Sequence, residues 1–299
     1  MVGGQLGKQY MKKFIFFFFT LFLLSFAGYS QNTLLWKISG NGLDKPSYLY
    51  GTIHLQDKRA FRFRDSVLIC IKQADIFVSE VLIKELKDPK ILQQMVAPEG
   101  EQLDDILSKN EYDKLSEKFK AATGNDIGLF KSLRPFAIMQ IMLTGHFVND
   151  APYTVDEYLS RTAESFNKPL LALESLSFQM ELLLSSFGKK ELFESLGEFD
   201  QSKEDLEKLI SQYEKENLKK LSTIIVEDSK SYKEFEKKIF GDRNISMTDS
   251  IVNLIQKQSA FIAFGAGHLS GKNGIIQLLK NKRYKVSPIY SNKPEKSIF

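Results

Sequence analysis

Two of the chain's three histidines stand in the same setting. His54 follows the run YLYG and His268 follows FIAFG, so that G-x-x-H occurs twice, as Gly51 with His54 and as Gly265 with His268. Glu80 closes the apolar run DIFVSE, and Glu174 closes LLALE. Two imidazoles and two carboxylates brought to one place make either a divalent-metal site or a metal-free general acid/base site, because both groups ligate such ions and both exchange protons. Gly51, Gly265 and Gly267 are expected to supply the tight turns and positive φ with which a chain leaves a buried strand, and to let a ligand approach the backbone. The third histidine, His146 in LTGHFVND, reads as a helix-end residue.

These side chains meet only if the elements that carry them converge. TLLWKISG, a turn-rich GNGLDKP and SYLYG predict a hairpin, and DSVLICIKQA predicts a helix leading into the short strand that ends at Glu80. Helical spacing runs through residues 84 to 147, with starts at Asp88-Pro89 and Asn110 and breaks near Pro98-Glu99-Gly100 and Thr123-Gly124-Asn125. TVDEYLSRTAESF is a helix with Thr154 as its cap, and it feeds the strand-length run ending at Glu174. Helices resume over 176 to 257, then AFIAFGAGH, a helix GKNGIIQLLKNK and the strand YKVSPIY complete the chain. Strands at both ends with a helical middle of about 84–257 predict an α/β (α+β) fold, with a central mixed sheet and a large helical insertion. All four polar groups end strands, and the carboxyl edge of a parallel sheet is where ligands bind. The helix after GAGH is expected to aim free N–H groups at that same edge.

The rest of the sequence narrows the class. The formal charge is +4, but residues 1–30 hold Lys8, Lys12, Lys13 and no acid, which leaves 38 basic against 37 acidic residues and argues against a nucleic-acid partner. Residues 1–30 read as a signal peptide starting at Met11: MKK, the apolar FIFFFFTLFLLSFA, and small residues before a cut ahead of Gln31. That apolar run is shorter than the roughly 20 residues that span a bilayer, and no later stretch is apolar enough to do so. Export is therefore expected, to the periplasm, the outer surface or the medium, with residues 31–299 as one domain. Cys70, the single cysteine, reads as a buried thiol. The Lys- and Glu-rich stretch 200–240 reads as a solvated helical face. No G-x-S-x-G, P-loop, H-E-x-x-H or G-x-G-x-x-G signature is present.

LWKISGNGLDKPSYLYGTIHL, VSEV, LRPFAIMQIML, TVDEYLSRTAESFNKPLLALESLSFQ, DRNISM and FIAFGAGHLSGKNGIIQLLKNKRYKVSPI, in that order over residues 33 to 291, resemble the TraB/GumN family. The resemblance implies an active site formed by the G-x-x-H histidine, His54, the glutamates Glu80 and Glu174, and His268. It adds Arg243 and Asn244 as substrate-binding or orienting residues and places Asp156 at a family position, as a helix cap or internal brace. Members of the TIKI branch are metal-dependent peptidases supported by manganese or cobalt, so the expectation is an exported hydrolase of peptides or small molecules. Its Mn²⁺ or Co²⁺ would be held by His54, Glu80, Glu174 and His268. Fold relatives also include haem-binding and esterase-like proteins. They leave open a non-catalytic protein that captures a peptide or haem-like ligand, and a metal-free hydrolase with histidine as base.

Overall fold

In the computed structural model, which describes residues 32–228, 237–292 and 296–299, β1 (Leu35–Ser39) and β2 (Ser47–Thr52) pair antiparallel as the expected hairpin. The chain divides into two units after Asn32, and the architecture below is that of the second, Thr33–Phe299. Four further strands, β3 (Ile76–Ser79), β4 (Leu170–Ala172), β5 (Ala260–Gly265) and β6 (Lys285–Pro288), complete one mixed sheet of order β4-β3-β5-β2-β1-β6. β4, β3, β5 and β2 run parallel, in registers that set Ser79 beside both Ala172 and Ala263, and Thr52 beside Gly265. The carboxyl ends of four neighbouring strands therefore lie along one edge.

Burial follows from position in that order. β2 and β3 are buried throughout and β5 in all but its last residue, which is why they read as unbroken apolar runs rather than alternating ones. β4 differs from the core-type strand expected of LLALE. It has a neighbour on one side only, spans three residues and leaves Leu171 exposed.

Helices α1 (Asp65–Gln73), α2 (Pro89–Gln94), α3 (Leu103–Ile106), α4 (Lys109–Thr123) and α5 (Pro135–Thr144) precede the edge strand with α6 (Val155–Ser165). Their starts follow local chemistry. Asp88 and Thr154 accept hydrogen bonds from the backbones of Lys90 and Glu157, Ser108 and Glu111 form a reciprocal capping box, and Gly124, at φ +74°, ends α4. After β4 come α7 (Leu176–Ser186), α8 (Lys189–Glu214) and α9 (Leu218–Asp228), then α10 (Arg243–Ile255) before β5 and α11 (Ile275–Asn281) after it.

Two large apolar cores result among the described residues, beside a small cluster of Ile91, Leu176 and Met180. One surrounds the sheet, with Phe61, Phe77, Phe261 and Phe264 fully buried; the other, built on Leu115, Phe119, Ile138, Met142 and Leu196, lies within the helical layer. The 26 residues of α8, about 39 Å of helix, serve both: Leu192, Leu196 and Phe199 enter the helical core and Tyr213 enters the sheet core. Cys70 is buried and free, and burial pushes its thiol up to about 11. No helix among the described residues is long and apolar enough to cross a membrane. The signal peptide expected in residues 1–30 lies outside the described residues.

The glycine of the first G-x-x-H motif is explained by space, and positive φ explains neither motif's glycine. Neither Gly51, Gly265 nor Gly267 has a positive φ; Gly265 sits at −49°. Gly51 is the fifth residue of β2, and a Cβ there would lie 2.7 Å from Leu269 Cδ1 and 3.0 Å from Ala266 Cβ. Gly51 thus ends a strand packed too closely for a side chain, whereas a Cβ at Gly265 would meet only ordinary contacts, the nearest at 3.6 Å. Downstream, the chain makes a short 3-10 turn over Ala266–His268, turns at Gly271, and starts α11 only at Ile275. The amide that does reach the edge is Gly265 N, and it donates to Glu80.

Gly51→Ala is accordingly expected to lower unfolding free energy by about 1–3 kcal/mol through overpacking. Gly197→Ala, on an α8 position with nothing within 4 Å of a new Cβ, is expected to raise it by about 0.5–1 kcal/mol. Urea denaturation of the two variants beside the parent chain reads both signs.

Candidate functional site

At the carboxyl edge the buried centre is an ion cluster. Glu80 follows β3 by one residue and Glu174 follows β4 by two, and parallel pairing, continued by Glu174 N donating to the Glu80 carbonyl, sets the two side by side. Arg243, the first residue of α10, lies between them. Its Nη2 donates to Glu80 Oε1 at 2.5 Å and to Glu174 Oε2 at 2.6 Å, and its Nε donates to Glu174 at 3.1–3.2 Å. Gln179 Nε2, from the first turns of α7, donates to both carboxylates at 2.9 Å. The side chains of Arg243, Glu80 and Glu174 are all less than a tenth exposed. Burial works to raise the Glu80 pKa, but the imidazoles of His268 and His54, the Arg243 guanidinium and the Gly265 amide outweigh it and bring it down to about 2.

The histidines stand on either side of Gly265. A Cβ built there would lie 3.6 Å from His54 Nε2, 3.7 Å from Glu80 Oε2 and 3.7 Å from His268 Cδ2. Each imidazole is anchored through Nδ1. His54 Nδ1 donates to Asp156 Oδ2 at 2.7 Å, while Asp156 Oδ1 accepts from Thr52 Oγ1 at 2.5 Å. His268 Nδ1 donates to Asn244 Oδ1 at 2.6 Å; the orientation of that amide follows from Asn244 Nδ2, which donates to the Asn273 carbonyl at 2.8 Å. Both rings are thereby held with Nε2 as the working atom, as ligating and acid/base imidazoles are.

Their environments separate them. His54 is 64% exposed at the side chain and forms the solvent face of the cluster, whereas His268 is buried. The charge of Asp156 raises His54 to about 9 against the opposing pull of burial. Burial lowers His268 to about 4, with Nε2 3.8 Å from Glu80 Oε1. At neutral pH His268 is therefore neutral, and the permanent charge that holds Glu80 ionised is that of Arg243.

The tertiary structure brings His54, Glu80, Glu174, His268, Arg243, Asn244, Gly51 and Gly265 to this edge, with Gly267 in the turn between Gly265 and His268. Asp156 is not a cap, since Thr154 caps α6; its carboxylate braces His54. Gln179 was not singled out by the sequence; the one cue is its place in the first turns of the helix that starts two residues after Glu174. His146 lies in the turn after α5, away from this edge, packed 4.6 Å from Phe199.

As arranged, no three His, Cys, Asp or Glu side chains among the described residues close around a common point for a metal ion. The physical reason is Arg243, which occupies both oxygens of Glu174 and one of Glu80. The histidine side of the cluster does have the chemistry of a cation site: two Nε2 atoms with anchored rings, and Glu80 Oε2 bound by no side chain. Glu80, Glu174 and Asp156 carry three negative charges against one on Arg243, so a divalent ion in place of the His54 proton balances the edge.

The TraB/PrgY/gumN family model matches residues 34–288. Proteins named metalloprotease TIKI1 are similar at 24% identity: that of Danio rerio over 88% of this chain and 64% of its own length, and that of Homo sapiens over 89% and 65%. The Xenopus tropicalis protein of the same name matches over 85% of this chain and 61% of its own length. The chain thus spans somewhat less than two thirds of these curated relatives. No solved structure matches it.

Arg243→Met is expected to cost roughly 3–5 kcal/mol of stability, because it strands two buried carboxylates; chemical denaturation at pH 7 measures it. For His268 the unfolded chain takes up its proton near pH 6.5 and the folded one near 4. Its contribution to stability is complete above about 6.5 and is lost as pH falls toward 4, and the Glu80 contribution is lost below that, from 4.5 toward 2. Denaturation midpoints between pH 6.5 and 4 should decline in the parent chain and decline less in His268→Gln.

Proposed function

The chain belongs to the TraB/PrgY/gumN family, and on that premise we propose that it is an exported hydrolase of peptidase type, acting at the carboxyl edge of the sheet. The observation that carries this reading is the pair of Nδ1-anchored imidazoles, one exposed and one buried, set beside an ionised Glu80. The relatives named metalloproteases support the reaction class, and the leader-like residues 11–30 support export. The substrate, a peptide, approaches from the side of His54, the one exposed member of the cluster.

His54 and His268, through Nε2, with Glu80 as carboxylate, are the residues that would hold a divalent ion, Mn²⁺ or Co²⁺. When bound, such an ion polarises a carbonyl and acidifies water. Asp156 fixes the His54 ring and Thr52 fixes Asp156; Asn244 does the same for His268. Arg243 and Gln179 hold Glu80 and Glu174 immobile, and Glu80 stays ionised, so the edge does not reorganise as charge develops on the substrate.

A second reading rests on the opposite shifts of the two histidines. In a metal-free reaction, protonated His54 donates from Nε2 to the leaving group, and neutral His268 or ionised Glu80 accepts the proton of water.

The test is digestion of a peptide library by the mature protein, with products read by mass spectrometry. His54→Ala is expected to lower cleavage by about 100-fold or more without unfolding the chain, since the ring is exposed. Chelation should abolish cleavage and Mn²⁺ or Co²⁺ restore it under the first reading; cleavage that survives chelation selects the second. A parent chain that cleaves no peptide under either condition overturns the peptidase assignment.

A further inference from the structure

Away from the sheet edge, α5 and α8 border a cavity of about 700 Å³, and none of the side chains gathered around Gly265 lines it. Its volume is within the roughly 300–1,000 Å³ of small-molecule sites and far above the voids that close packing leaves. The sequence accounts for the space. α5 reads PFAIMQIMLT, apolar around nearly its whole circumference. Ile138, Met139 and Met142 are buried in the helical core, which leaves a second apolar face, with Phe136 and Leu143, only partly covered. That face lines the cavity.

The walls differ in character. Phe136, Phe147, Phe187 and Phe199 supply aromatic surface, held in place by an edge-to-face contact of Phe136 with Phe187 at 5.7 Å and by His146 packed at a tilt of 35° against Phe199. α8 contributes Glu198 and Asp205, one face of the helix seven residues apart. The Asp205 carboxylate is shared with Lys208 at 3.0 Å and Gln201 at 3.3 Å. Glu198 is exposed, and its side chain has no partner among the described residues. Neither lysine nor arginine is among the lining residues.

Ring faces and carboxylates carry the same sign of potential, so the wall attracts one class of ligand. An anion would meet the unpartnered Glu198 and an Asp205 already paired with Lys208, with neither lysine nor arginine among the lining residues; a neutral apolar molecule would use the rings and leave Glu198 unused. We propose that this cavity binds a small organic cation with an apolar or aromatic body, at a site separate from the hydrolytic edge. The cationic head pairs with Glu198 and the ring faces, and the body fills the space beside Phe136 and Phe147.

The probe is 3-(trimethylammonio)phenol, titrated calorimetrically into the full chain beside its neutral isostere 3-tert-butylphenol and the anion 3-hydroxybenzenesulfonate. Saturable one-to-one binding of the cation is expected, at least about tenfold tighter than that of the isostere, with no binding of the anion. Glu198→Gln, on the exposed face of α8, and Phe147→Ala, in the turn after α5, are each expected to weaken the cation by about tenfold while thermal melting shows the chain folded. Equal binding of cation and isostere, absence of saturation at millimolar probe, or affinities unchanged in both variants overturns the proposal.

Discussion

A guanidinium buried between two buried carboxylates is the interaction on which the carboxyl edge depends. Taking three charges out of water is expensive, and the cost is offset only when nearly every donor and lone pair finds a partner. Arg243 meets this through the planar fork of its guanidinium, which reaches Glu80 and Glu174 together, while Gln179 donates to the same Glu80 Oε1 and Glu174 Oε2 and the Gly265 amide takes Glu80 Oε2. A lysine has the charge but not the fork. Because this arrangement keeps Glu80 ionised, the two histidines face a fixed negative group, and the chemistry available to them follows from it.

The sheet makes that interaction possible by direction. Had β4, β3, β5 and β2 alternated, their polar ends would have been divided between opposite edges; running parallel, they deliver Glu174, Glu80, His268 and His54 to the same one. α10 adds two consecutive residues that serve different partners, Arg243 the carboxylates and Asn244 the His268 ring, as adjacent positions about 100° apart on a helix can. α8 braces the same edge from behind, with Tyr213 donating to the Gly51 carbonyl at 3.0 Å. The helical layer, with a core of its own, is thereby tied to the strand that carries the first G-x-x-H motif. The apolar surplus of α5 on the far side of that core leaves the space beside Phe199.

Much of this was legible in the chain. Strand-length apolar runs, the Asp88 and Thr154 starts, the Gly124 stop and the hairpin between Ser39 and Ser47 are local signals, set by backbone satisfaction and by burial within a few residues, whereas the start expected at Asn110 falls at Lys109, behind a Ser108 cap. Local signals misjudged β4, whose apolar composition gives no sign that it lies at an edge, and Gly51, whose need arises from Leu269 and Ala266 more than two hundred residues away.

By itself, then, the sequence determined which residues are capable of the chemistry, His54, Glu80, Glu174 and His268, and that each ends a strand. The tertiary structure alone decided how they are coupled. Asp156 meets His54 across 102 positions, and Arg243 meets Glu80 across 163, so neither pairing leaves a local pattern. It also decided that one histidine is exposed and held protonated while the other is buried and neutral. Proton affinity depends on the charges and solvent around a group, and those are supplied by distant elements that only packing brings together.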